Sequence, residues 1–132
     1  MPEINSHSSN NSARLNEVLD SLLADITAIR TVLAGILSGS ATFNAGSLAD
    51  GAGETTTVTV TGAALGDFVL VSHGVDVAGI SVTGYVSAAD TVSVRLQNES
   101  GGTLDLASAT LRVRVIPQAS FAAPAALTTT RD

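Results

Sequence analysis

The chain has 132 residues, a formal net charge of −6, 45% hydrophobic but only 3% aromatic residues, and no cysteine. That length holds one domain plus an appendage, and no disulfide framework is available to stabilise it. All six basic residues are arginines and form no basic stripe, which disfavours nucleic acid and anionic membrane surfaces as partners.

Residues 1–11 (MPEINSHSSNN) are rich in Ser and Asn. They lack the basic and apolar regions of a signal peptide and read as a flexible N-terminal arm that orders on a partner.

Residues 12–38 read as a coiled-coil helix. Ser12 is placed to cap it, Glu17 and Asp20 lie early and Arg30 late, as the helix dipole prefers, and Ser38-Gly39-Ser40 is read as its stop. Leu15, Leu19, Leu22, Ile26, Ile29, Leu33 and Ile36 recur at alternating spacings of four and three, which fills the a and d positions of a heptad seam. The expected trimerisation residues are these seven. Mixed Leu and Ile at both a and d fits three strands better than two. Val18, Leu23, Val32 and Leu37 widen the apolar face, while Asp25 at g and Arg30 at e are placed to pair between neighbouring helices. The alternative is an amphipathic helix lying on its own β domain. Asp20, Asp25 and Arg30 interrupt the apolar stretch, so it does not read as a membrane span.

Residues 39–117 read as a β-sandwich domain, with period two setting in over 41–117. Strands are expected over Glu54–Thr61, Asp67–Ser72, Ile80–Ser87, Thr91–Gln97 and Ala109–Ile116. Asp67–Ser72 (DFVLVS) is almost uniformly apolar and reads as a central strand. The turns between strands are rich in Gly, Asp and Asn, and their spacing indicates a small sandwich of jelly-roll-like form. Its expected core is Val58, Val60, Phe68, Leu70, Ile80, Val82, Val92, Val94, Leu111, Val113 and Val115. Pro117 ends the last strand, and residues 118–132, rich in Ala, Thr and Pro, read as an extended C-terminal arm.

Chemistry-bearing motifs are sparse. Ser72-His73-Gly74-Val75-Asp76 holds the residue types of a catalytic triad, but five consecutive loop positions do not build a Ser–His–Asp relay. Asp50, Glu54, Asp67, Asp76, Asp90, Glu99 and Asp105 fall at strand ends and turns without the alternating ligand run of a calcium loop; turn and solubility roles are expected, with a calcium site from two loops or at an oligomer axis as the alternative. His7 and His73 lie far apart, and with no cysteine a zinc site lacks material. The glycines from Gly46 to Gly66 lack the helix and Gly-Lys-Ser/Thr of a phosphate loop. No catalytic residue, metal ligand or cofactor is expected, and the reading is non-enzymatic. Asn10-Asn11-Ser12 and Asn98-Glu99-Ser100 match glycosylation sequons by chance.

The stretch from Gly46-Ser47-Leu48-Ala49-Asp50-Gly51-Ala52 through ETTTVTVTGAALGDFVLVS, then Gly84–Leu96 (GYVSAADTVSVRL) and Asp105–Val115 (DLASATLRVRV), resembles a β module of tailed-phage head decoration, cement or head-fibre proteins. The resemblance covers about residues 44–116, with Thr57–Ser72 its most telling block. It implies a non-enzymatic homotrimer on the outer capsid surface of a virion, with the major capsid protein as partner. Attachment is expected through the two arms, with Ile4, Asn10, Asn11, Phe121 and Leu127 as the candidate capsid-binding residues. The alternative function is a receptor- or carbohydrate-binding trimeric domain of a phage tail fibre, for which Tyr85 alone is a poor aromatic platform.

Overall fold

The computed structural model describes residues 2–121, with side chains from Ser8 to Ser120. The chain forms two compact units, a helix and a β unit that begins at Gly35.

Helix α1 spans Pro2–Ala34, about 50 Å at 1.5 Å per residue. It starts earlier and stops sooner than the expected 12–38. No glycine or proline interrupts Glu3–Ala34; Ser and Asn cost only about 0.5 kcal/mol each in a helix, so the turns grow back through the segment read as a flexible arm. Thr27 and Thr31 donate their hydroxyls to the carbonyls of Leu23 and Thr27, at 2.8 and 2.9 Å, satisfying these polar groups within the helix itself.

The helix ends before Gly35 rather than at Ser38-Gly39-Ser40. Leu37–Phe43 forms β1 instead, a strand absent from the expected set. Its residues alternate inward and outward, with Leu37, Gly39, Ala41 and Phe43 turned to the core side. Pairing runs antiparallel to the last strand from Leu37 opposite Val115 to Phe43 opposite Ala109. Those ladder bonds compete with one further helical turn and win.

Five more strands follow: β2 (Gly53–Thr59), β3 (Phe68–His73), β4 (Ser81–Ala88), β5 (Thr91–Gln97) and β6 (Ala109–Ile116), then a short 3-10 helix, Gln118–Phe121. They make two antiparallel three-stranded sheets, β1-β6-β3 and β2-β5-β4. The inner faces of both contribute to one hydrophobic core. Val58, Val60, Val92, Val94, Leu111, Val113 and Val115 are enclosed there, as expected, and Leu96 joins them.

β3 corrects the expected core. It is an edge strand, because β6 takes the centre of its sheet. Its inward residues are Val69, Val71 and His73, while Phe68 and Leu70 are 55% and 61% exposed. A uniformly apolar strand has no polar face to mark its outside, so the choice of face fell to packing. Val82 is half-buried rather than enclosed, and Ile80 and Val86 are buried.

Candidate functional site

Among the described residues, most of the exposed large apolar side chains lie in a stripe on α1. Leu15, Leu19, Leu22, Ile26, Ile29 and Leu33 are each 45–62% exposed, and Val18, Leu23 and Val32 beside them are also open to solvent. Spacing of three and four places all six on one helix face. The seventh seam residue, Ile36, does not belong to it: Ile36 lies past the helix end, half-buried, immediately before β1. Leu37 likewise packs against the β core instead of widening the stripe. Exposed apolar patches are a recurring feature of association surfaces.

The triad-like motif is not assembled. Strand alternation turns Ser72 outward and His73 inward. His73 Nδ1 accepts the Val75 N–H at 3.4 Å, Nε2 is buried without a partner, and Asp76 Oδ1 accepts the Ala78 N–H at 3.0 Å.

Three other carboxylates serve loops. Asp50 accepts the Gly101 N–H at 2.9 Å, Asp90 accepts that of Gly62 at 2.7 Å, and Asp67 accepts those of Ala64 and Gln118 at 3.0 and 2.9 Å. Among the described residues, no three His, Asp or Glu side chains gather as a metal ion would need, and no helix is long and apolar enough to cross a membrane.

Asn98 is fully enclosed: its Nδ2 donates to the carbonyls of Leu48 and Gly102 at 2.8 and 2.7 Å, and its Oδ1 accepts the Ser100 N–H at 3.0 Å. This asparagine joins two loops and presents no amide nitrogen for a glycan in the folded unit.

A second surface has no motif in the sequence beyond the strand alternation of β6. Arg112 and Arg114 project from the outer face of β6, the middle strand of its sheet. Arg114 stands between Ser38 and Leu70 in register, and Arg112 between Ser40 and Ser72. Two shallow hollows of about 250 and 360 Å³ flank the pair, one toward β3 and one toward β1. Neither guanidinium meets a carboxylate among the described residues; Arg114 Nη1 donates only to the Val113 carbonyl at 3.2 Å. Arg95, outward on the other sheet, is instead held by Thr55 Oγ1 at 3.2 Å and Gln97 Oε1 at 2.6 Å. Alternation could place both arginines outside, but the acid-free neighbours come from β1 and β3, far away in the chain.

Of the candidate attachment residues, Asn10 and Asn11 are exposed on α1, and Ile4 lies on the same helix. Phe121 closes the 3-10 helix, and the side chains of Ile4 and Phe121, with all of Leu127, lie outside the described residues. No protein-family model matches the chain, and no curated protein matches it in sequence.

Proposed function

We propose that this chain is a structural protein that works as a homotrimer, held by α1 as a parallel three-stranded coiled coil and carrying the β unit as a jelly-roll-like sandwich. The observation that carries this reading is the unbroken row from Leu15 to Leu33, exposed on a single helix. Each of these side chains, already about half covered on the helix, gains about 1–2 kcal/mol from burial of the remainder, and three copies supply that burial by knobs-into-holes packing. Residues 44–116 support the further step by their resemblance to tailed-phage decoration modules: a cement protein on the outer capsid surface of a virion, bound to the major capsid protein and without catalysis. Trimerisation gathers three attachment ends at one point, so weak single contacts become stable by avidity. The N-terminal end of the stalk is the proposed capsid-proximal base.

Light scattering at about 10 µM tests the assembly, well above the dissociation constant of a stable coiled coil; a trimer is expected and a monomer overturns it. Co-sedimentation with empty tailed-phage capsids tests the attachment. Retention of binding after deletion of residues 1–11, with loss after deletion of 118–132, would reverse the proposed orientation.

A further inference from the structure

We infer that the outer face of the β1-β6-β3 sheet is a docking surface for an extended acidic segment of a partner protein, read by Arg112 and Arg114. This inference does not rest on the trimer or the capsid reading, because every residue it uses belongs to the β unit.

Two arginines at i and i+2 of one strand share a face, with Cα atoms about 7 Å apart. At that separation they repel each other, inside the ~10 Å screening length of 0.1 M salt. The β unit has carboxylates in plenty, yet Asp50, Glu54, Asp67, Asp76 and Asp90 each accept a backbone N–H elsewhere. Arg112 makes no hydrogen bond or ion pair among the described residues. Among the described residues the pair therefore stands as an uncompensated positive centre, on a chain of net charge −6.

Its surroundings narrow the occupant. Ser38 and Ser40 on β1 line one side with hydroxyls, and Leu70 on β3 lines the other with an exposed aliphatic side chain. Carboxylates at alternate positions of an extended segment repeat at the same ~7 Å as the two guanidinium stems. Each can take a forked, charge-assisted pair of hydrogen bonds, with an aliphatic side chain of the segment against Leu70. A long polyanion such as nucleic acid would run off this small centre onto a surface dominated by carboxylates, so a short acidic protein segment fits better.

The experiment uses the full chain and a fluorescent decapeptide of alternating Glu and Val, beside a Lys–Val decapeptide and an oligothymidylate. The Glu–Val peptide should bind, weaken as salt rises, and lose about tenfold or more in affinity to the Arg112→Gln/Arg114→Gln variant. Arg95→Gln should bind like the wild type. The reversed variant Arg112→Glu/Arg114→Glu should select the Lys–Val peptide. No binding of the Glu–Val peptide, equal binding by the double Gln variant, or a preference for the oligothymidylate overturns the proposal. Should the variants fail to fold, phenylglyoxal labelling of the wild type decides: peptide should shield Arg112 and Arg114 but not Arg95, and unshielded labelling overturns it.

Discussion

Gly84 on β4 lies against Val71 on β3, at the line where the edges of the two sheets meet. A Cβ at Gly84 would overlap a Val71 methyl group and come within 2.8 Å of Val69 Cγ1. At the opposite edge, a Cβ at Gly39 on β1 would strike the Thr59 carbonyl oxygen and lie 2.8 Å from Val60 Cγ2. The sheets approach this closely because each closing edge has one residue without a side chain.

Gly84→Ala and Gly39→Ala should therefore each destabilise the β unit by about 1–3 kcal/mol through overpacking. Gly46→Ala, where nothing lies within 4 Å of the added carbon, is the control. Chemical denaturation of the three variants checks this, and a cost at Gly84 no larger than at Gly46 would refute the close approach.

Phe68→Ala should cost about 1 kcal/mol, because more than half of the side chain is already in solvent. Leu111→Ala, fully enclosed on the central strand, should cost about 2–5 kcal/mol. Unfolding midpoints at equal denaturant slope rank the two, and a reversed order would return Phe68 to the core.

Asp90 ties the β4–β5 turn to the loop after β2. It adopts φ 60°, and its Oδ1 accepts the Gly62 N–H while its own N–H donates to the Ala63 carbonyl. Asp90→Ala loses the acceptor and keeps the left-handed backbone, for a cost of about 1–3 kcal/mol. Asp90→Asn tolerates that backbone and retains an oxygen acceptor, so it should lose less than half as much. Equal losses in thermal unfolding would mean that the carboxylate charge, and not the hydrogen bond, matters.

Ala78 stands at φ 52° beside Gly79 at φ 95°, in a turn closed by the Ile80 N–H to the Val77 carbonyl at 2.9 Å. Positive φ at both central positions favours Asn or Gly over Ala. Ala78→Asn should raise stability by about 0.5–1 kcal/mol; a lower melting temperature would count against the strain.

In α1, Leu22→Asp with Ile29→Asp puts charges at consecutive d positions of the seam. The variant should elute and scatter as a monomer while its β unit keeps its unfolding transition. A trimer that survives both changes would place the association elsewhere.

The amino-acid sequence by itself determined the features written in nearest-neighbour periodicity. The alternation of Leu and Ile by threes and fours made α1 and its stripe, and the alternation of Val and Leu with polar residues set β5 and β6 at the expected bounds, with Arg112 and Arg114 outward. Only the tertiary structure decided which strand stands at an edge. DFVLVS carries apolar side chains on both faces, so its orientation came from the sheet it joined, where β6 already held the centre and left Phe68 and Leu70 outside. Leu37–Phe43 became a strand because Ala109–Val115, 66 to 78 positions later, offered a ladder. Asp90 found Gly62 across 28 positions, and Asn98 found Leu48 across 50. Such pairings have no local signature, because hydrogen bonds and burial depend on what the folded chain brings alongside, not on what precedes a residue in sequence.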